Sequence, residues 1–252
     1  VVSGDNNQGI NWTCSGGTIS GAGAVVGNYA YCTWTPPGSD GTYTLTATSA
    51  LDGTKSYTFT IYVGSFTTSI SPSSRTVNQY GGSQTLTWTL TETNSNLNET
   101  LTFSASGQPS GVSISFNPTS LVNTGGDVTV TCSCSGAATP GSYTVTLTAT
   151  ATGESTPTFT QTFTLVIPTL SVSISPTSTT LGGGQTQQFT ATVTGSQATA
   201  GTWSIPTGAG YVSSSGLYKA PFASGSGTVR FTHTASGQTA TATTTYTPGS
   251  GG

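Results

Sequence analysis

The sequence predicts an all-β chain of three tandem two-layer β-sandwiches, and three observations carry that prediction. Apolar and hydroxyl side chains alternate with period two, clusters of Gly, Pro, Asn and Ser interrupt the alternation at short intervals, and no amphipathic helical period is found. The alternation runs through residues 43–48, 84–90, 143–150, 159–167, 188–193 and 229–234, with Thr on one face and Val, Leu, Ile, Phe or Tyr on the other. Such runs are half-buried antiparallel strands, in which β-branched threonine suits the wet face.

The order of the domains follows from internal repetition. Ser69-Ile70-Ser71-Pro72 returns as Ser173-Ile174-Ser175-Pro176, each followed by a Gly-rich turn and a strand, and each marks the start of a domain. A closing hairpin also recurs, beginning at Gly41-Thr42-Tyr43, at Gly141-Ser142-Tyr143 and, more loosely, at Gly227-Thr228-Val229. The expected domains are residues 1–65, 66–168 and 169–248, with a Gly/Ser tail over 249–252. About seven short strands in roughly 80–100 residues fit an immunoglobulin-like sandwich.

The first domain is expected to be incomplete. The segment from Val2-Ser3-Gly4 to Trp12-Thr13 aligns without a gap on that from Val193-Thr194-Gly195 to Trp203-Ser204, so residue 1 falls inside the second strand. Roughly 20 residues, the N-terminal strand and half of the next, are then absent from the pattern. A cut through a longer array and a strand supplied by a neighbouring subunit both account for this. The second alternative makes Val1, Val2 and Trp12 part of a strand-acceptor region, because an open sandwich presents unpaired backbone groups and an apolar groove.

Composition excludes several classes of function. Charged residues make up 4% of the 252, with four Lys and Arg, seven Asp and Glu, and a net charge of −3. That inventory cannot build the basic stripe needed for nucleic acid. No apolar run approaches a membrane span. Ser and Thr fill over a third of the chain, so hydroxyls keep this surface wet.

Catalytic parts are scarce. His233 is the one histidine; it is phased with Thr on an alternating strand, which reads as a strand-surface or interdomain position. The third domain contains no Asp or Glu, so a Ser, His, Asp triad would have to span domains. The carboxylates Asp5, Asp40, Asp52, Asp127, Glu92, Glu99 and Glu154 are scattered over turns, and Asp40-Gly41 and Asp52-Gly53 are hairpin signals. Neither Asp5-Asn6-Asn7 nor residues 94–99 has the dense ligand run of a calcium loop. No catalytic residue, cofactor or metal is expected, and no enzyme in its own right.

The four cysteines lack metal-ligand spacing. Local pairing joins Cys14 to Cys32 and Cys132 to Cys134. The second link is strained, since residues two apart on a strand lie about 6.5–7 Å apart at Cα; free thiols or a link to another chain are the alternatives. Tyr29, Tyr31 and Trp34 could form a sugar-stacking platform, although core and strand-face packing also explains them. Trp12 and Trp203 align as core tryptophans. Asn11-Trp12-Thr13 and Asn98-Glu99-Thr100 are N-glycosylation sequons. A Lys–Asn isopeptide crosslink would be limited to Lys55 or Lys219.

A resemblance adds to this reading. Ser173-Ile174-Ser175-Pro176, the run 188–193, Trp203-Ser204 and Ser215-Gly216-Leu217-Tyr218-Lys219-Ala220-Pro221 closely resemble the bacterial Ig-like group 2 repeat. Gly107-Gln108-Pro109-Ser110-Gly111-Val112 and Phe116-Asn117-Pro118-Thr119-Ser120 make the middle domain similar to a related secreted bacterial Ig-like module. The resemblance implies an extracellular or cell-surface, secreted setting and transfers no catalytic residue. The resulting expectation is a structural subunit of a surface filament, fibre or adhesin stalk, with copies of itself as head-to-tail partners and a cell-surface or polysaccharide ligand. The rival expectation is an accessory spacer or carbohydrate-binding module of a larger secreted enzyme.

Overall fold

The computed structural model describes residues 9–26, 29–93, 100–122, 125–152 and 158–249. Every regular element in it is a strand, and the strands fall into three sets that share no sheet. No helix among the described residues is long and apolar enough to cross a membrane.

The middle unit is the most complete. It contains β6 (Phe66–Ser71), β7 (Ser74–Thr76), β8 (Gly82–Glu92), β9 (Thr100–Ser106), β10 (Val112–Asn117), β11 (Ser120–Val122), β12 (Gly126–Cys134), β13 (Gly141–Thr152) and β14 (Thr158–Ile167), numbered after five strands of the first unit. One sheet has the order β10-β12-β8-β6 and the other β11-β9-β13-β14-β7. Between them Trp88, Val128, Val130, Val145, Leu147, Ala149 and Leu165 are fully enclosed. Each belongs to the apolar phase of an alternating strand, so the period-two pattern translates directly into a two-sided core.

Unit three repeats this plan with shorter pieces: β15 (Ser171–Ser175), β16 (Ser178–Gly182), β17 (Thr186–Gln188), β18 (Thr190–Thr194), β19 (Gly201–Thr207), β20 (Tyr211–Val212), β21 (Leu217–Lys219), β22 (Gly225–His233) and β23 (Thr239–Thr247). Its core gathers Phe189, Tyr218, Val229, Phe231, Ala242 and Tyr246, with Trp203 against Phe231 at 5.2 Å between ring centroids. In both units the chain changes sheets at the repeated Ser-Ile-Ser-Pro, whose Ser–Pro bond is cis. Beyond that proline, β7 lies parallel to β14 and β16 lies parallel to β23, closing the edge of the last strand.

Unit one has β1 (Ile10–Cys14), β2 (Thr18–Val26), β3 (Tyr29–Thr35), β4 (Gly41–Ser49) and β5 (Ser56–Val63). The sheets are β1-β4-β5 and β2-β3. Trp12 pairs with Ala47 in the ladder as Trp203 pairs with Phe231, so the two tryptophans occupy equivalent positions.

The cysteines correct an expectation: all four are free thiols. Cys132 and Cys134 are successive inward positions of β12, and the ladder runs through them without a kink, Cys132 facing Gln84 and Cys134 facing Gly82. An extended strand holds such positions too far apart to bridge. Cys134 Sγ instead donates to the Gly136 carbonyl at 3.2 Å, and Cys14 Sγ to that of Gly17 at 3.7 Å. Burial pushes the Cys132 thiol up to about 11. The Cys32 thiol is also raised, first by burial and then by the neighbouring Cys14.

Candidate binding surface on the first sandwich

The hairpins β4-β5 and β13-β14 can be laid residue on residue, since Gly41 faces Val63 as Gly141 faces Ile167, and Leu45 faces Phe59 as Val145 faces Phe163. Phe59, Ile61 and Val63 therefore answer to Phe163, Leu165 and Ile167. Their surroundings differ. Phe163 is 3% exposed and Phe59 42%. Tyr57, two residues before Phe59 on the same face, is 58% exposed and meets it edge-on at 4.8 Å.

The cause is the missing cover. In unit two, β7 lies along β14, and β8 pairs with β12 and delivers Leu86, Trp88 and Leu90 into the core. In unit one, β5 is the end strand of its sheet, and β3, the counterpart of β12, pairs only with β2. Among the described residues nothing stands where β7 and β8 stand. Among the described residues the result is an apolar face flanked by two end strands, β5 and β3, a geometry that accepts further strands. Trp12 is part of this face, and its indole N–H is buried without a partner. Trp88 shares that feature inside the complete unit, so the orphan donor does not single out the open one. Val1 and Val2 lie outside the described residues.

The three aromatic residues expected to form a platform are split between faces. Tyr29 and Tyr31 point outward, 59% and 54% exposed, with centroids 6.4 Å apart and planes tilted by 45°. Trp34 lies an odd number of residues from both and so faces inward, where its indole donates to the Gly16 carbonyl at 2.9 Å and its ring packs on Tyr43. No single strip of three rings forms. Asn11 is exposed on β1; Asn98 lies outside the described residues.

The remaining candidates are engaged locally. Asp52 accepts from Thr54 Oγ1 at 2.6 Å and Thr54 N at 3.0 Å, which lowers its carboxyl. Asp127 accepts from Thr89 Oγ1 at 2.6 Å, and Asp40 from Ser65 Oγ at 3.1 Å. Asp5, Glu99 and Glu154, with both calcium candidates, lie outside the described residues. Among the described residues no three His, Cys, Asp or Glu side chains gather as a metal site would require.

His233 is fully buried between units two and three. Its Nε2 lies 2.8 Å from the Ala198 carbonyl, its Nδ1 2.7 Å from Ser236 Oγ, and its ring meets Tyr80 edge-on at 5.8 Å. Gln79 completes this junction. Its backbone N–H donates to Gly195 O at 3.0 Å and its carbonyl accepts from Gln197 N at 2.8 Å. Its side chain donates to Pro168 O and accepts from Ala138 N. Sequence reasoning overlooked this residue, whose signal is a departure from the repeat: Gln79 and Tyr80 stand where unit three has Gly183 and Gly184.

A family-wide sequence model, the bacterial Ig-like domain (group 2), matches residues 168–244, the span of the third unit. No curated protein sequence matches the chain. Solved structures that resemble it include domains 4 and 5 of the S-layer protein SbsC, with 16% identity, coverage of 54% of this chain and 69% of that one, and a TM-score of 0.31. The zebrafish RET cadherin-like domains 1 to 4 have 10% identity, 94% and 65% coverage, and a TM-score of 0.45. An endo-fucoidan hydrolase of glycoside hydrolase family 107, MfFcnA4, has 15% identity, 94% and 39% coverage, and a TM-score of 0.34.

Proposed function

We propose that the chain is a non-enzymatic structural element of an extracellular, secreted fibre or cell-surface stalk, and that strand addition to the first sandwich joins it to its neighbour. The exposure of Phe59, at a ladder position where Phe163 is enclosed, carries this reading. The incoming strand takes the place of β7: it runs parallel to β5 beside Thr60, Ile61 and Tyr62, which answer to Thr164, Leu165 and Val166, and its apolar residues cover Phe59 and Tyr57. A second copy of the chain supplies it. A contact between unlike surfaces propagates instead of closing. The bacterial Ig-like character of residues 168–244 and the scattered carboxylates support a mechanical role over a catalytic one.

The test is hydrogen exchange of the β5 amides combined with sedimentation velocity over a concentration series. Protection of β5 should rise together with the assembled fraction. A monomer in which the β5 amides that point away from β4 are already protected would sink the proposal, since the face would then be closed by the chain's own residues. The exposed Tyr29 and Tyr31 favour a second reading, a carbohydrate-binding accessory module, which ranks lower because Trp34 faces away from them.

A further inference from the structure

The junction between units two and three shows how one sandwich of this chain seats on the next. One side is the turn after β7, with Gln79 and Tyr80, backed by Ala138 of the loop after β12, whose N–H donates to Gln79; the other is the loop after β18, with Ser196 and Ala198, and His233 at the start of the β22-β23 turn, backed by Ser236. Parts of both surfaces recur at other places in the chain: the first at the far end of unit three and, of the second, the strand-connecting turn on unit one, the counterpart of its loop lying outside the described residues.

The first recurs at the far end of unit three. Tyr80 N donates to Gly136 O at 2.9 Å, and Gly184 N donates to Ala220 O at 3.0 Å. Gly184 thus occupies the place of Tyr80, both with left-handed backbone, φ 81 and φ 54. Two residues beyond each acceptor, Phe222 answers to Ala138. The Phe222 ring lies across the glycine pair: a Cβ on either Gly183 or Gly184 would fall 2.8 Å from it. Its upper face is open, leaving it 77% exposed. The chain leaves β23 at this same end, with Gly249 against Gly183.

The turn of the second surface recurs on unit one. Ser49 N donates to Lys55 O at 2.9 Å as His233 N donates to Gln238 O at 2.8 Å, so the β4-β5 turn is the counterpart of the β22-β23 turn. Ser49 Oγ accepts from Leu51 N and Asp52 N, which fixes the turn and holds Leu51 outward, 67% exposed. Two large apolar side chains therefore stand at the two positions that an end-to-end contact would join.

We propose that copies of this chain stack end to end, with Phe222 of one copy seated on the Leu51 turn of the next, in the geometry already used between units two and three. This deepens the fibre reading and rests on it. The contact is heterologous, so each copy keeps one free end and the series continues. It also brings the end from which the chain leaves unit three to the sandwich that lacks cover.

The experiment is sedimentation velocity on the full chain and on Phe222→Ser and Leu51→Ser, with circular dichroism to confirm folding. Both side chains are exposed, so both variants should fold. Each substitution should weaken assembly by at least about tenfold in dissociation constant, as expected for removing a central apolar anchor. Mixing the two variants should restore dimers without longer species, because only one productive pair of ends remains. The conservative Phe222→Leu should retain assembly. A wild-type chain that stays monomeric overturns the proposal, and so does a Leu51→Ser chain that assembles like the wild type. If both variants assemble unchanged while β5 gains protection, strand addition stands and end stacking fails; loss of assembly with β5 open throughout gives the converse.

Discussion

Phenylalanine at two equivalent ladder positions offers an internal control for the open sandwich. Phe163→Ala removes an enclosed ring and should cost the middle unit about 3–5 kcal/mol. Phe59 holds the equivalent register position, opposite Leu45 where Phe163 has Val145, but is 42% exposed against 3%. That gap is roughly 40% of a side chain of about 200 Å², or about 80 Å² of apolar surface, which at about 25 cal/mol per Å² amounts to about 2 kcal/mol. In dilute, unassembled chain, Phe59→Ala should therefore cost only about 1–3 kcal/mol. The missing part reappears when a strand covers the face, so the same substitution should weaken strand addition by about 30-fold. Three units need not unfold together, so the readout has to be local. Hydrogen exchange under increasing urea, followed separately at β13-β14 and β4-β5, supplies it. Equal losses for the two substitutions in dilute chain would refute the reasoning, because Phe59 would then be covered as fully as Phe163.

Two further outcomes follow from the middle unit and its junction. The Cys132 thiol, raised from 9.0 to about 11 in the folded chain, keeps its proton where the unfolded chain has lost it, so the folded state binds more protons between those values. Stability of unit two should then be fully present below pH 9 and fall as the pH rises towards about 11; urea unfolding across that range measures it, and Cys132→Val should flatten the slope. Gln79→Ala strips the partners from Pro168 O and Ala138 N and should cost about 1–3 kcal/mol at the junction, seen as a lower calorimetric transition and as freer relative motion of units two and three in residual dipolar couplings; unchanged values in both would show that Gln79 does not clasp the junction.

Strand identity was legible because one physical rule, alternation across a pleat, governs almost every element. Trp12 and Trp203 were placed correctly by gapless alignment, since equal spacing along equivalent strands preserves ladder position. Other features depended on facts that a period-two reading leaves out. The break between β17 and β18 arises because Phe189 turns from the ladder to donate to Gly216 O and fill the core. The sheet change from β10 to β11 follows Asn117-Pro118 and is a matter of topology. The platform of Tyr29, Tyr31 and Trp34 failed on parity alone, which counting along β3 would have revealed. The junction residues lay within the repeated turn, but the comparison matched its glycines and passed over the two side chains that replace them in unit two.

The scarcity of charge gains a structural meaning from the edges of the sheets. Soluble β-proteins commonly shield end strands with lysine, proline or a bulge. Here 4% of residues are charged, and β14 and β23 are shielded by topology, each taking a short parallel strand after the Ser-Ile-Ser-Pro crossing. Among the described residues unit one has neither device along β5, where Tyr57 and Phe59 alternate with Thr58 and Thr60, Tyr62 shares the threonine face, and Lys55 stands just before the strand. An apolar face beside an edge without charge marks a site of interaction. Introducing lysine at Thr60, which is exposed on β5, should therefore block assembly while leaving the Thr46–Thr58 hydroxyl pair and the β4-β5 ladder in place; assembly unchanged by the added charge would refute strand addition along this edge.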